Sequence, residues 1–328
     1  FFFVVHKMMS RAAVLPCFRA VRTYATVPGL STVGVVGMGA MGHGIAQMTA
    51  AAGYNVVAVD IDANMLSKGI KAVEDSLSKV AAKAVKDGKA DKATAEKNAA
   101  AVRARITTSG DIGALSKCDL VIESIIEDLN IKKKFFTQLG QVAGPNAILA
   151  SNTSSFAITQ LGQASGRASN FIGLHFFNPV QMMKLVEVIK TKDTKEDVYK
   201  QGFAFSKSIA KEPVACGDTP GFIVNRLLVP FLAQGLLMLE RGVASVQDID
   251  VAMMYGAGMP MGPLTLADYV GLDVCMHILK GWTAEYPNEP AFVIPKPLEA
   301  KVAAGKLGRK TGEGFWKWEG DKPVAPSV

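Results

Sequence analysis

The sequence predicts an α/β protein with an N-terminal doubly wound sheet, a helical hairpin inserted in that sheet, and an all-α C-terminal domain. Two observations carry this prediction. Short apolar runs alternate with helical patterns from residue 33 to residue 215, as strands and crossover helices of a parallel sheet do. After residue 221 the strand pattern stops, and long apolar stretches with helical spacing follow. We therefore expect a sheet domain over residues 29–217 and a helical domain over residues 218–328.

The first 28 residues precede the sheet domain and form a predicted leader. From Met8 to Val27 the chain carries spaced arginines, hydroxyl residues and small apolar residues, and no acid. That composition is typical of a mitochondrial transit peptide, whereas a secretory signal would have a longer apolar centre. Residues 1–7 precede the first methionine, so we expect Met8 or Met9 to be the native start. The alternative is a tail without any targeting role.

Composition describes an ordinary globular protein, because 49% of the 328 residues are hydrophobic and 20% are charged. The net charge of +7 is uneven, since four positive charges and no acid lie in the first thirty residues. The remainder has no basic block, which argues against nucleic acid as a partner. No apolar run reaches the roughly 18 residues of a membrane span. The four cysteines lie far apart, which predicts reduced thiols rather than a disulfide framework or a metal site.

A glycine-rich turn follows the first apolar run. Gly37, Gly39 and Gly42 have the spacing G-x-G-x-x-G, and an uncharged helical pattern leads from them to a second strand that ends in Asp60. Such glycines permit a tight turn, close approach to a pyrophosphate and close helix–strand packing, and the helix N-terminus favours the anion. Asp60 is placed to bind the adenine-side ribose, and its charge repels a 2′-phosphate. We therefore predict a Rossmann-type site for NAD; the alternative is a glycine turn without a ligand.

Residues 62–104 predict two helices joined by a turn at residues 86–91, which is long for a connection between sheet strands. Eight lysines lie in this segment. One interpretation is a solvated helical hairpin. The other is a protruding arm that contacts a large anionic substrate.

The strand rhythm resumes at Leu120–Ile122 and again at Ala147–Ala150, with a helix between them. The second of these strands runs into the sequence SNTSS, residues 151–155. Carboxyl ends of parallel strands line the ligand crevice, so we expect these hydroxyl groups to face the cofactor. The alternative is that they cap the next helix.

His175 and Glu187 form a candidate catalytic pair. An apolar strand, Phe171–Leu174, leads to His175, and a second strand, Leu185–Ile189, holds Glu187 in its middle. Either group costs free energy in an apolar strand unless it is paired. Paired with each other, they make a base and the carboxylate that orients it. The alternative is a buried structural histidine.

The C-terminal part predicts long apolar helices over residues 222–241 and 246–254 and further helix within residues 264–285. A Gly- and Lys-rich tail with two tryptophans follows at residues 305–318. Helices as apolar as these need a surface to pack against. We expect them to close the ligand cleft and to form a dimer interface.

These segments together resemble the short-chain L-3-hydroxyacyl-CoA dehydrogenase family of mitochondrial fatty-acid oxidation. The resemblance extends from about residue 31 to residue 318. It rests on six runs in this order: VGVVGMGAMGHGIAQ, SNTSS, GLHFFNPVQMMKLVEVIK, DTPGFIVNRLLVP, GMPMGPLTLADYVGLD and GRKTGEGFWKW. The resemblance implies NAD-dependent, reversible oxidation of a 3-hydroxyacyl-CoA to the 3-oxoacyl-CoA in the mitochondrial matrix, by a homodimer.

The resemblance also implies roles for individual residues. His175 would be the general base, Glu187 its orienting partner, and Ser154 and Asn225 would lie beside the reacting oxygen. The residues that it implies for NAD are the glycine loop, Asp60, Glu127, Lys132, Ser154, Asn178 and Lys310. Those that it implies for coenzyme A are Ser76 and Lys83 on the helical arm, together with Ser154. It implies no metal ligand.

One departure from the family pattern follows the active-site turn. Where the family is expected to read HFFNPVPVMK, this chain has HFFNPVQMMK, so Gln181 and Met182 differ. We expect this difference to affect chain-length preference rather than the activity. Two alternatives remain at this stage: a dehydrogenase of a free 3-hydroxy acid or sugar acid on the same scaffold, and a non-catalytic NAD-binding protein.

Overall fold

The structure, a computed structural model, describes residues 26–327. Contacts divide them into two units between Phe222 and Ile223, whereas the sequence analysis placed the boundary after residue 217. Most of the predicted leader lies outside the described residues. Its last part is packed, because Val27 is buried and donates its backbone N–H to the Tyr54 hydroxyl at 3.0 Å.

The N-terminal unit consists of one sheet and the helices that connect its strands. Its elements are, in chain order, β1 (Thr32–Val36), α1 (Gly42–Ala51), β2 (Asn55–Val59), α2 (Ala63–Lys86), α3 (Lys92–Ala104), β3 (Ile106–Ser109), β4 (Leu120–Glu123), α4 (Leu129–Val142), β5 (Ile148–Ser151), α5 (Ile158–Ala164), β6 (Phe171–Phe176), β7 (Leu185–Lys190), α6 (Glu196–Ser208) and β8 (Glu212–Gly217). The two predicted arm helices are α2 and α3.

The eight strands lie in the order β3-β2-β1-β4-β5-β6-β7-β8. Neighbouring strands are parallel except β6 and β7, which form an antiparallel pair. The chain runs outward from β1 to β3 and then returns to β4 on the other side of β1. In a doubly wound sheet, the ligand crevice lies at this reversal, outside the carboxyl ends of the strands.

Apolar side chains cover both faces of the sheet. Ile45 of α1, Val73 of α2 and Phe205 of α6 belong to the core on one face. Phe136 of α4 and Leu161 of α5 belong to the core on the other face. All five side chains are fully buried, and each such burial contributes about 1.5–3 kcal/mol. The two cores hold the carboxyl ends of the strands in fixed register.

In the eight-stranded sheet, strand positions agree with the predicted ones to within two residues at each end, with one strand missed. The missed strand, β3, is short and lies at the edge of the sheet, with Thr107 and Thr108 exposed. It therefore lacks the apolar run by which buried strands are recognised. Strand β6 continues to Phe176, so His175 lies inside the strand rather than after it.

The C-terminal unit consists of five helices and a small antiparallel sheet within the described residues. Its elements are α7 (Val224–Glu240), α8 (Val246–Gly256), α9 (Pro263–Val270), α10 (Leu272–Glu285), α11 (Lys296–Ala303), β9 (Trp316–Glu319) and β10 (Lys322–Pro326). The β9–β10 hairpin was not predicted, because glycine and lysine dominate the tail before it.

A buried carboxylate ties this tail to the helices of the C-terminal unit. Asp250 of α8 accepts hydrogen bonds from the backbone N–H groups of Leu264 and Thr265 at 2.8 and 2.9 Å, and from the Trp316 indole at 2.9 Å. The donors compensate the free-energy cost of burying the charge. Among the described residues, no helix is both long and apolar enough to cross a membrane.

Candidate active site

The glycine loop between β1 and α1 has space on one side only. A Cβ atom on Gly42 would lie 1.7 Å from the carbonyl oxygen of Gly37, so strand and helix meet without a side chain between them. Gly37 has φ +88° and lies against the backbone of Ser124. A Cβ atom on Gly39 would meet nothing closer than the Met65 methyl group, 3.9 Å away. This open space at the N-terminus of α1 is where a pyrophosphate can approach the backbone, so the loop suits a dinucleotide.

Asp60 follows β2 and is bound to the same loop. Its Oδ2 accepts the backbone N–H of Met38 at 2.8 Å, and its Oδ1 accepts the N–H of Asp62 at 3.0 Å. Each carboxylate oxygen keeps a further lone pair, which can accept a ribose hydroxyl group. The predicted cofactor residues Gly37, Gly39 and Asp60 thus lie together at the end of β1 and β2.

His175 and Glu187 form a buried hydrogen-bonded pair. They are directly opposite each other in the antiparallel β6–β7 register, which brings opposite Cβ atoms within about 5 Å. Nδ1 of His175 lies 2.6 Å from Oε2 of Glu187. Glu187 has no exposed surface, and the imidazole packs against the rings of Phe177 and Phe222 at 4.5 and 5.5 Å between centroids. Because Glu187 binds Nδ1, the ring has Nε2 left for a substrate proton.

Asn178 is exposed, directly after the buried Phe177.

A buried lysine, Lys211, holds the turn that follows Asn178, and it was not among the predicted site residues. Nζ of Lys211 donates to the carbonyl oxygen of Val180 and, at 2.7 Å, to that of Met183. A lysine between a helix and a strand carries no sequence signal for such a role, because the contact depends on the packing of distant segments.

Ser154 lies in the loop after β5, and Glu127 holds this loop. Oε1 of Glu127 accepts the hydroxyl of Thr153 at 2.6 Å and the backbone N–H of Ser154 at 3.1 Å. The Ser154 hydroxyl lies 3.2 Å from the hydroxyl of Ser155. Asn152 accepts the N–H of Phe176 at 2.8 Å, so the loop is also bound to the end of β6. The predicted residues Glu127 and Ser154 are therefore in contact.

Lys132 is buried rather than open to the crevice. Its ammonium lies 2.5 Å from Oε1 of Glu123 and 3.1 Å from Oε2 of Glu127. Glu123, at the end of β4, was not a predicted site residue. An acid in the apolar run LVIE is the same signal that identified Glu187, but here no histidine accompanies it. Burial raises the pKa of Glu123, and the Lys132 ammonium opposes that shift.

The arm residues share one face of α2. Ser76 and Lys83 are seven positions apart, which is two helical turns, or about 10 Å along the axis. Ser76 is half-buried and Lys83 is exposed. Val73, Leu77 and Ala84 cover the buried side of the helix.

Two predicted site residues belong to the C-terminal unit. Asn225 lies in the first turn of α7 and is half-buried. Lys310 is exposed, and its ammonium lies 2.5 Å from Oδ1 of Asp273. Burial raises the pKa of Asp273, but the hydrogen bond and charge of Lys310 together with the backbone N–H groups of Val274 and Asp273 outweigh it, and the pKa is lowered. In the described part of the chain, no three His, Cys, Asp or Glu side chains are grouped so that they could hold a metal ion.

Comparisons with known proteins identify the family of this chain. The model of the 3-hydroxyacyl-CoA dehydrogenase NAD-binding domain matches residues 32–219, and that of the C-terminal domain of the same family matches residues 221–318. A probable 3-hydroxyacyl-CoA dehydrogenase of Caenorhabditis elegans is 45% identical over 92% of this chain and 98% of its own length. The mitochondrial hydroxyacyl-coenzyme A dehydrogenase of Homo sapiens is 46% identical over 88% of this chain and 91% of its own. Among solved structures, the (S)-3-hydroxybutyryl-CoA dehydrogenase of Ralstonia eutropha aligns with a TM-score of 0.82 and 40% identity, covering 88% of this chain and 99% of that one.

Proposed function

The chain belongs to the 3-hydroxyacyl-CoA dehydrogenase family, and from that premise we propose how its own residues carry out the reaction. The enzyme catalyses the NAD-dependent oxidation of a 3-hydroxyacyl-CoA to the 3-oxoacyl-CoA, the dehydrogenation step of fatty-acid β-oxidation. The observation that carries the residue assignment is the buried His175–Glu187 pair at the end of β6.

His175 is the general base of this proposal. Nε2 takes the proton of the substrate's 3-hydroxyl group, because Nδ1 is already bound to Glu187. Glu187 holds the tautomer with its proton on Nδ1 and stabilises the imidazolium that forms. The glycine loop and Asp60 would hold NAD, which would supply the acceptor for the hydride from C3. Phe177 and Phe222 exclude water from the imidazole.

Ser154 positions the reacting oxygen and stabilises charge on it. Glu127 supports this role, because it binds the backbone of Ser154 and the hydroxyl of Thr153. Asn225 and Lys310 of the C-terminal unit are proposed for the reacting oxygen and for the cofactor, on the basis of the family motifs in which they lie.

For the cofactor, we assign the pyrophosphate to the glycine loop and the adenine-side ribose to Asp60. The open space at Gly39 supports the first assignment. Asn178 extends the site at the end of β6, and Glu127 at the end of β4. Lys132 joins the cofactor site as the residue that holds Glu127, because its ammonium binds Glu123, Glu127 and the carbonyl oxygen of Ile125.

For coenzyme A, we assign its phosphate groups to Lys83 and Ser76 on the outer side of α2. The test compares NADH oxidation at neutral pH with acetoacetyl-CoA and with free acetoacetate, in the wild type and in Lys83→Gln. We expect rapid turnover of the thioester alone. Lys83→Gln should raise KM for the thioester about fivefold, equivalent to about 1 kcal/mol of lost binding, and leave kcat nearly unchanged.

Lys71→Gln is the matched control for this test. Lys71 is exposed on the same helix and already pairs with Asp75 at 3.4 Å, so its loss should leave KM unchanged. Equal turnover of free acetoacetate would contradict the substrate assignment and favour a dehydrogenase of free 3-hydroxy acids. An equal rise of KM for acetoacetyl-CoA in Lys83→Gln and Lys71→Gln would show that only the total positive charge of the helix matters, and would contradict a specific role of Lys83.

The mammalian relatives are named mitochondrial, which indicates mitochondria for this protein. We place it in the matrix, because the composition of residues 8–27 is typical of a matrix-targeting leader. A fluorescent reporter fused behind residues 8–30 should enter the matrix, and a reporter that stays in the cytosol would contradict this assignment.

We also assign a homodimer to this protein, through the C-terminal unit. The outward face of α7 carries Leu227 and Met238, both exposed, and the half-exposed Phe231 between them. Positions 227, 231 and 238 lie within about 40° of one another around the helix, so their side chains form a mainly apolar stripe, in which Gln234 is the exposed polar residue. Such a stripe is typical of an interface.

A further inference from the structure

Glu123 lies at the reversal point of the sheet. It ends β4, and its register partners are Val36 of β1 on one side and Ser151 of β5 on the other. Its side chain is fully buried. The backbone that follows it, at Ser124 and Ile125, lies against Gly37 of the cofactor loop.

Three donors converge on the Glu123 carboxylate. Oε1 accepts the Lys132 ammonium at 2.5 Å and the backbone N–H of Ile125 at 2.8 Å. Oε2 accepts the Ser151 hydroxyl at 2.6 Å. Ser151 in turn accepts the N–H of Thr153 at 3.2 Å, so its own proton points to Glu123. Both carboxylate oxygens therefore act as acceptors, and the Lys132 ammonium at 2.5 Å favours the ionised form of Glu123.

Lys132 connects Glu123 to the loop that carries Ser154. Its ammonium donates hydrogen bonds to Glu123 and, at 3.4 Å, to the carbonyl oxygen of Ile125. It also forms an ion pair with Glu127 at 3.1 Å. Glu127 then binds the backbone of Ser154. The cluster of Glu123, Lys132 and Glu127 holds two carboxylates and one ammonium, and so carries one net negative charge.

The position of this cluster in the sheet relates it to one half of the dinucleotide. The glycine loop and Asp60 belong to β1 and β2, the half that binds the adenosine part. Strands β4, β5 and β6 form the other half, where the nicotinamide part binds. The nicotinamide ring is cationic in NAD+ and neutral in NADH, so a net negative charge beside it attracts only the oxidised form.

We propose that Glu123 is a positioning residue of the cofactor site, which fixes Lys132 and Ser151 and gives the nicotinamide half a net negative charge that favours NAD+ over NADH. This inference rests on the proposed assignment of Glu127 to the cofactor. It also gives a reason for a buried acid that touches no substrate.

The test measures dissociation constants for NAD+ and NADH separately, by calorimetry without substrate. Glu123→Gln removes the charge and keeps the shape, so the affinity for NAD+ should fall about fivefold relative to that for NADH. Ser151→Ala keeps the charge and loses one bond, so the two affinities should change together. Glu127→Gln removes one negative charge of the same cluster from a partly exposed residue. The affinity for NAD+ relative to that for NADH should therefore fall in this variant as well, even if Glu123→Gln fails to fold.

Asp250→Asn is the matched control. Asp250 is also a buried carboxylate and accepts four hydrogen bonds, but it lies inside the C-terminal unit. It should lower the thermal midpoint and leave the ratio of affinities unchanged. An unchanged ratio in Glu123→Gln and Glu127→Gln would overturn the inference and leave Glu123 as a structural anchor. A wild type that binds neither form of the cofactor would contradict the proposed function itself, so the two failures are distinguishable.

Discussion

Among single residues, the proposed chemistry depends on two acids that are buried in apolar strands, Glu187 and Glu123. Each is compensated by a specific partner, a histidine in one case and a lysine with a serine in the other. A buried carboxylate without such partners costs several kcal/mol, so both positions are strongly constrained. In the proposed mechanism the two acids have different tasks: Glu187 orients the base, and Glu123 positions the loop and contributes negative charge beside the cofactor.

His175→Gln should abolish most of the activity, because glutamine cannot take a proton at the position of Nε2. We expect kcat to fall about 100- to 10,000-fold, the usual contribution of a general base, while the Kd for NADH changes little. Steady-state kinetics with acetoacetyl-CoA and a separate NADH titration measure the two quantities. Glu187→Gln is the comparison: it should reduce kcat less and move the acid limb of the oxidation profile to lower pH. A His175→Gln variant with wild-type turnover would exclude His175 as the base.

Among the elements, the antiparallel β6–β7 pair positions His175 against Glu187. Contacts of Glu313 hold the C-terminal end of the described chain. The β6–β7 pair sets His175 opposite Glu187, and a shift of one residue would turn them to opposite faces of the sheet. In the C-terminal unit, Glu313 binds the Lys306 ammonium at 2.8 Å and the Ser327 hydroxyl at 2.5 Å. The bonds from Lys306 and Ser327 lower the pKa of Glu313 from 4.5 to about 2.

The lowered pKa of Glu313 predicts how this end of the molecule responds to acid. Because the pKa is lower in the folded state, the contribution to stability is present above pH 4.5 and is lost as the pH falls towards 2. Glu313→Gln should lower the thermal midpoint by about 1–2 °C at pH 7, and the difference from the wild type should shrink between pH 4.5 and pH 3. Glu319→Gln, at an exposed carboxylate of the β9–β10 hairpin that follows Glu313, should change neither the thermal midpoint nor its dependence on pH. A difference that stays constant with pH would show that Glu313 acts through packing alone.

The whole molecule consists of two units with separate hydrophobic cores, and each unit carries different proposed functional features. The sheet unit carries the glycine loop and the His175–Glu187 pair, and the helical unit presents the apolar stripe of Leu227, Phe231 and Met238. An exposed stripe of this kind on a helix is typical of proteins that associate through a two-fold axis.

Light scattering in solution should give twice the chain mass of 34.8 kDa. Leu227→Glu and Met238→Glu place a charge in the stripe and should give a monomer at micromolar concentration. Val85→Glu, on the arm, puts the same charge at another exposed apolar residue and should leave the dimer intact. A dimer that persists in both stripe variants would place the interface elsewhere.

Features that depend on local pattern could be predicted from the sequence. The glycine spacing, the strand that ends in Asp60 and the loss of strand pattern after residue 221 predicted the α/β fold and the NAD site. His175 and Glu187 could be paired because only twelve residues separate them, which a hairpin can bring together. Periodicity and turn chemistry act over a few residues, so they are visible in the sequence.

The residues that surround Glu123 could not be predicted from local pattern, because they come together only in the folded chain. Ser151 lies 28 residues from Glu123 in the chain, and the two meet because β4 and β5 are parallel neighbours joined by a helical crossover. Lys211 meets the carbonyl oxygen of Val180 in the same way, through packing between distant segments. Strand order and helix packing place these partners together, and local sequence pattern does not encode which strands become neighbours.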